Sequence, residues 1–260
     1  GSPESPRRAR PQSFMSGTPP LVIAIIPARM GSIRFPGKAI ASDTGTPLIL
    51  HVVEAVQRAS TVTRVIVASE DASIEAVCAD AGVEHIMTRS DHPNGSSRIA
   101  EAAEGLEADV ILNVQGDEPE IEAETIDLVV TTLLKDPAAH VSTAAAPLGE
   151  DDDPADPNLV KVVSDSSGHA IYFSRAAIPV DRDGMGISRR RHIGIYAYRP
   201  TTLCAYAQLE PTPLEQAEKL EQLRLVEKGY KIAVADVTGG HPGIDTPEQY
   251  ADFVTRFMRS

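Results

Sequence analysis

Cysteine is nearly absent from this chain of 260 residues. Cys78 and Cys204 are the only two, and neither stands in a CxxC or Cys/His zinc spacing, so neither a disulfide framework nor a structural zinc is expected. Positive charge is also scarce: 24 Lys and Arg stand against 37 Asp and Glu, a formal charge of −13. An acidic chain disfavours bulk binding to nucleic acid or to an anionic membrane, so neither is expected as a partner. No apolar run is long enough to span a bilayer, and no internal repeat occurs. Two phosphate-binding signatures are missing as well. The glycine pair Gly31 and Gly37 is one residue too wide for a P-loop, Ala39 follows Lys38 where a hydroxyl is required, and G-x-G-x-x-G does not occur.

What is present points to one sizeable α/β domain over 21–258. Residues 1–20 are rich in Pro, Ser and Arg and read as a disordered N-terminal extension. Arg7, Arg8 and Arg10 precede an apolar run, but that run is short and stops at Pro27, so a signal peptide is not expected. A cytoplasmic location fits the cysteine usage.

The stretch 21–38, LVIAIIPARMGSIRFPGK, organises the rest. Its first six residues are apolar and rich in β-branched side chains, which predicts a strand buried on both faces. Beyond it come small residues, two prolines and the cations Arg29, Arg34 and Lys38. Glycine lets a backbone approach a ligand closely, and spaced cations match a polyphosphate. On these residues alone an ordinary basic loop fits equally well.

Alternating signals continue downstream. Helices are expected from Thr46-Pro47 to about Ala59 and from Asp71 to before Gly82, with Cys78 as a small buried hydrophobe. Strands are expected over 64–69, 83–87, 109–115 and 141–146. The polar segment TRSDHPNGSSRIAE at 88–101 turns into a helix, where backbone N–H groups and Arg98 are placed to meet an anion or a base edge and His92 makes loop hydrogen bonds. At the end of the strand 109–115, Asp117 occupies the edge where open α/β sheets bind ligands. It reads as a Mg²⁺ ligand, or else it or Glu118 merely caps a helix running to about Lys135. The acidic 150–157 reads as a solvated linker. Strands over 159–164 and 169–174 form a hairpin. In 191–199 the alternation puts Ile193, Ile195 and Ala197 on one face and His192, Gly194, Tyr196 and Tyr198 on the other. A capping box at Thr212 opens one helix expected to run to Lys228, carrying Glu218, Glu221 and Gln222. After a strand at 231–237, a second capping box at Thr246 pins Asp245 outside a helix start.

The stretch IIPARMGSIRFPGK resembles the signature loop of sugar-activating cytidylyltransferases, in particular those that make CMP-Kdo from CTP and 3-deoxy-D-manno-octulosonate (Kdo). NVQGDEPEI at 113–121, VKVVSDSSGHAIYFSRAAIP at 160–179, RHIGIYAYR at 191–199, LEQLRLVEKG at 220–229 and GIDTPEQ at 243–249 extend the match over roughly 21–252. The resemblance implies a three-layer, Rossmann-like nucleotide-diphospho-sugar transferase fold with a mostly parallel mixed sheet. It also implies a small β extension at about 150–200 that lines the sugar site and forms a homodimer. Activity would be transfer of CMP from CTP to the anomeric hydroxyl of Kdo, for lipopolysaccharide biosynthesis, with Mg²⁺ on Asp117 and Asp245 and with Arg29 and Lys38 also catalytic. Nucleotide contacts would come from Pro27, Ala28, Arg29, Ser32, Arg34, Lys38, Gly95, Arg98, Gln115 and Gly116. Sugar contacts would come from Arg175, His192, Tyr196, Glu221 and Gln222, with Arg175 meeting the sugar carboxylate. Two departures stand out: Ser97 replaces an acid common in relatives, and the loop 181–191 is short. The alternatives are a cytidylyltransferase for another 2-keto sugar acid, of 8-amino-Kdo or sialic acid type, and a non-catalytic nucleotide-binding protein.

Overall fold

The computed structural model describes residues 19–150, 152–240 and 243–259. Most of the N-terminal extension, residues 1–18, lies outside the described residues.

The strand expected at the head of the chain is β1 (Val22–Pro27). Its side chains alternate between two separate cores, Val22, Ala24 and Ile26 entering one and Ile23 and Ile25 the other, so both faces are dry and an uninterrupted apolar run results. β1 pairs in parallel with β2 (Arg64–Ser69) on one side and with β4 (Val110–Asn113) on the other, and β2 carries the parallel edge strand β3 (Glu84–Met87). Beyond β4 the sheet turns mixed: β8 (Arg190–Tyr198) runs antiparallel to both β4 and β5 (Val141–Pro147), and β9 (Ile232–Asp236) pairs in parallel with β5. The main order is β3-β2-β1-β4-β8-β5-β9, with the hairpin β6 (Lys161–Ser164) and β7 (Ala170–Ser174) joined through β6 to β8. A bulge between Thr143 and Ala144 shifts the β5–β8 register.

Helices cover both faces, giving three layers. On one side α1 (Leu48–Gln57), α2 (Ala72–Asp80) and α4 (Ala123–Lys135) bury Val52, Cys78 and Val129. On the other, α3 (Gly95–Ala102), α5 (Pro200–Ala207) and α7 (Gln222–Glu227) bury Ile99, Tyr206 and Leu223. Asp71 caps α2 through the Ser73 amide, as its sequence position suggests, and burial pushes the Cys78 thiol up to about 11, leaving it inert at neutral pH. The C-terminal α8 (Pro247–Phe257) packs Tyr250 and Phe253 on Leu48 and Ile244.

Three expectations change. The helix after Asp117 starts at Ala123 with Glu122 as its N-cap residue, so neither Asp117 nor Glu118 caps it. The single helix expected over 212–228 is two: α6 (Pro213–Glu218) and α7, broken where Lys219 adopts a left-handed conformation, φ 54°. No Gly or Pro marks that break. Tertiary contacts fix it instead: the Glu218 carboxylate accepts from Ser174 Oγ (2.6 Å) and the Arg175 amide (2.9 Å), while the Glu218 carbonyl accepts from Arg175 Nε (2.7 Å). α5 was not expected at all; Pro200 opens it directly after β8, and its eight residues are too few to display a helical period.

Candidate active site

β1 and β4 are neighbours, so the loops leaving their carboxyl ends open on the same cleft, as open α/β sheets require. Their approach is tight: a Cβ at Gly116 would lie 2.7 Å from the Pro27 carbonyl oxygen, so only glycine fits there. A cleft of about 460 Å³ results. Pro27, Ala28, Arg29, Ser32, Arg34 and Lys38 line it from the first loop, Gln115, Gly116 and Asp117 from the second. Gly95 and Arg98 join from α3, and Asp245 from the entry to α8. Every residue expected to meet the nucleotide or the metal therefore lines one space.

Lys38 is its electrostatic centre. Its ammonium lies 2.8 Å from Asp117 Oδ2 and 3.6 Å from Asp245 Oδ1, and it also donates to the Ile244 carbonyl. Arg34 meets Asp245 Oδ2 at 3.0 Å. Asp245 is held in turn by Gln249, whose Oε1 accepts from the Asp245 amide (2.7 Å) and the Thr246 amide (3.1 Å), the return half of the capping box. Arg29 is exposed and has no ion-pair partner among the described residues. Arg98 lines the cleft, but its guanidinium is shared with Glu70, Thr88 and the Arg89 carbonyl, so it shapes the wall more than it offers a free cation.

Glu118, beside these acids, was read in the sequence only as an alternative helix cap. Burial, reinforced by Asp117 and Asp245, raises its carboxyl to about 8, so it carries a proton at neutral pH and adds no third negative charge. A QGDEP string gives no sign of which carboxylate turns inward.

A second cavity, of about 280 Å³, adjoins the first and shares Gly95, Gln115 and Glu221 with it. Tyr196, Tyr198, Tyr206, Lys219 and Gln222 also line it. The shared wall is braced from the first turn of α3: Ser96 Oγ donates to Glu221 Oε2 (3.2 Å), and Asn94, which caps α3 by accepting from the Ser97 amide (2.8 Å), donates from Nδ2 to Tyr206 OH (3.2 Å). Burial raises the Glu221 carboxyl, opposed by the Ser96 hydrogen bond. Tyr206 has the Arg224 guanidinium 4.6 Å from its ring centroid, and Arg224 forms a bidentate pair with Glu215 (2.8 and 2.6 Å). Tyr206 and Lys219 were missed in the sequence, because neither α5 nor the helix break left a periodic signal.

Two residues expected at the sugar do not line either cavity. Arg175 spends its guanidinium on the carbonyls of Pro157, Glu218 and Lys219, where it fixes the helix break. His192 packs edge-on against Phe173 (5.0 Å) behind Tyr196 and shares a 2.9 Å hydrogen bond with Thr143 Oγ1; desolvation lowers its pKa to about 3, so it is neutral. Ser97 turns from the cleft, donating to the Asn94 carbonyl (2.9 Å) and meeting His92 Nδ1 (3.2 Å), and the His92 imidazole pairs with Glu101.

Comparison with known proteins identifies the family. The family model described as Cytidylyltransferase matches residues 23–232. A 3-deoxy-manno-octulosonate cytidylyltransferase of Trichlorobacter lovleyi is 44% identical over 238 residues, covering 87% of this chain and 94% of that protein. Its counterpart in Geobacter metallireducens is 43% identical over 251 residues, covering 92% and 98%. Among solved structures, CMP:2-keto-3-deoxy-manno-octonic acid synthetase complexed with CTP superimposes with a TM-score of 0.88 at 38% identity, over 92% of this chain and 99% of that one. The inositol-1-phosphate CTP transferase of T. maritima, at 16% identity and a TM-score of 0.65 over 92% and 95%, shares the fold alone. With the family model spanning most of the chain and relatives this similar along nearly their whole length, the chain belongs to the cytidylyltransferase family, among the 3-deoxy-manno-octulosonate cytidylyltransferases.

Proposed function

We infer that this enzyme transfers CMP from CTP to the anomeric hydroxyl of Kdo, giving CMP-Kdo and pyrophosphate for lipopolysaccharide biosynthesis. The observation that carries the reading is the pair of adjoining cavities. One is lined by Arg29, Arg34 and Lys38, as a triphosphate requires; the other is lined by Tyr196, Glu221 and Gln222, hydrogen-bonding groups suited to sugar hydroxyls; and the two share one wall.

On this reading Arg29, Arg34 and Lys38 bind the triphosphate and neutralise charge that builds on the leaving pyrophosphate. The wall of Gly95, Gln115 and Glu221 holds the sugar beside the nucleotide, so that its hydroxyl approaches the α-phosphorus in line; positioning of this kind removes much of the entropic barrier. Asp117 and Asp245 would hold Mg²⁺: two carboxylates that already face one cation form the hard-oxygen donor set of a metal that completes its shell with water and phosphate. When bound, Mg²⁺ supplies Lewis-acid stabilisation of the phosphoryl charge and activation of the hydroxyl. Lys38 and Arg34, which pair with those carboxylates in the structure, would be released to meet phosphate oxygens were Mg²⁺ to take their place.

A homodimer and a cytoplasmic location belong to the same reading. The β6–β7 hairpin and the segment after it leave Ile171, Val180, Met185 and Ile187 exposed, a set of apolar side chains that a second copy would cover. Phe173, on the same hairpin, is in the core instead. Both cysteines are free, which suits a reducing compartment.

The test is pyrophosphate release with CTP and Mg²⁺ across a panel of sugar acids, with ATP and GTP as controls. Kdo with CTP is expected to react far faster than any purine nucleotide; equal turnover with ATP, or preference for a nine-carbon acid, would refute the assignment.

A further inference from the structure

One wall of the smaller cavity is built on an irregularity in the sheet. Thr143 of β5 stands opposite Tyr196 of β8, but the next residue, Ala144, stands opposite Ile193, so Gly194 and Ile195 have no partner on β5. They have none on β4 either, whose register with β8 ends where Asn113 meets Tyr196. Extra residues on one strand bend it and re-aim its side chains, a device common beside active sites. Thr143, fully buried, pins the bulge: its hydroxyl donates to the Ile195 carbonyl (2.7 Å), and the Ile193 carbonyl lies 3.2 Å from the same oxygen. With the one hydroxyl proton so placed, His192, kept neutral by burial, donates from Nε2 to Thr143 Oγ1 (2.9 Å). Of the two bulged residues, Ile195 is buried in the core, whereas Gly194 lines the smaller cavity with Tyr196.

Nothing in the fold requires glycine at 194. Gly194 is not among the glycines with positive φ, and a Cβ built on it would meet no atom within 4 Å beyond its chain neighbours. Gly116 differs, because a Cβ there would strike the Pro27 carbonyl. Glycine inside a strand weakens it, through the entropy of the unfolded chain and the missing side chain. We propose that Gly194 is a specificity-determining residue for the sugar acid, its missing side chain leaving room for the sugar ring against the bulged backbone, and that Thr143 is the positioning residue that holds this bulge in place. The inference rests on the functional reading above and gives its second cavity a size limit.

The experiment measures the KM for Kdo at saturating CTP by pyrophosphate release, together with the Kd of CTP in the absence of sugar and the melting temperature. Gly194→Ala should melt no lower than wild type, since its methyl group meets no atom and restrains the unfolded chain. Its KM for Kdo should nevertheless rise about ten- to hundredfold, the range for a methylene's worth of misfit in a pocket, and Gly194→Val should raise it further. The Kd of CTP should not move in either. Thr143→Val, close in shape, leaves the Ile195 carbonyl unpaired; it should melt lower and raise the KM for Kdo about tenfold, and Thr143→Ser should restore both. Val130→Ala, a truncation in the core face of α4 that lines neither cavity, should lower the melting temperature and leave the KM alone, which separates positioning from loss of stability. A wild-type KM in Gly194→Ala, or a KM in Thr143→Val no higher than in Val130→Ala, would overturn the proposal while leaving the functional reading intact. A wild-type protein that releases no pyrophosphate from CTP and Kdo would overturn both.

Discussion

The backbone amide of Ile244 donates to the carbonyl of Asp117 at 2.8 Å, tying the loop after β4 to the entry of α8. The carbonyl of the same Ile244 accepts from the Lys38 ammonium, whose other partners are the carboxylates of Asp117 and Asp245. Three distant segments thus close on one charged point, and their backbones, not only their side chains, set the geometry.

Removal of either acid should therefore act on a shared unit. Asp117→Asn and Asp245→Asn are each expected to lower kcat by orders of magnitude with little change in melting temperature, and the double variant should be hardly worse than either single one. Steady-state kinetics at saturating Mg²⁺ checks this; independent, multiplying losses would separate the two residues.

Gly116→Ala should fail for a steric reason. Its Cβ would stand 2.7 Å from the Pro27 carbonyl, a backbone atom that cannot rotate away. A loss of about 1–3 kcal/mol in urea denaturation is expected, the range for overpacking, with weakened CTP binding because the two cleft loops are forced apart. Unchanged stability would show that β1 and β4 yield more readily than their parallel pairing suggests.

Sugar and nucleotide should be separable at some residues and inseparable at one. Gln222→Ala and Tyr196→Phe, which line only the smaller cavity, should raise the KM for Kdo by an amount worth about 1–3 kcal/mol for each bond lost, with CTP affinity unchanged. Glu221 lines both cavities and receives Ser96 from the first turn of α3, so Glu221→Ala should weaken both ligands. Calorimetric titration of CTP without sugar distinguishes the two classes.

His192 gives a pH signature. Its folded pKa is lowered to about 3 by desolvation, below the ordinary 6.5, so the unfolded chain binds the extra proton first as pH falls. Stability is unaffected by this group above pH 6.5 and is lost between 6.5 and about 3, by at most about 1.4 kcal/mol per pH unit. His192→Gln should flatten that part of the acid limb in a series of thermal melts; an unaltered limb would mean that the imidazole is solvated.

Much of the fold was legible because its signals are local. A two-sided apolar run forecast β1, the capping boxes at Thr212 and Thr246 forecast the starts of α6 and α8, and the alternation in 191–199 forecast which side chains share a face. Ile195 and Ala197 do lie in one core, and Tyr196 and Tyr198 in the other. The helix break at Lys219 was illegible, since nothing in AEKLEQ departs from a helical pattern; contacts from Ser174 and Arg175 impose it from another part of the chain.

By itself the sequence determined which residue types bear the chemistry: the spaced cations after β1, the acid after β4, and a second acid pinned by its capping box at the door of α8. Those follow from side-chain chemistry and short-range backbone preferences, which act within a few residues. Only the tertiary structure decided that Lys38, Asp117 and Asp245 meet, that Glu221 lines two cavities, and that Arg175 is consumed as a brace. Those outcomes depend on β4 lying beside β1 and on loops far apart in the chain sharing hydrogen bonds, and such long-range pairings leave no trace in local periodicity or charge.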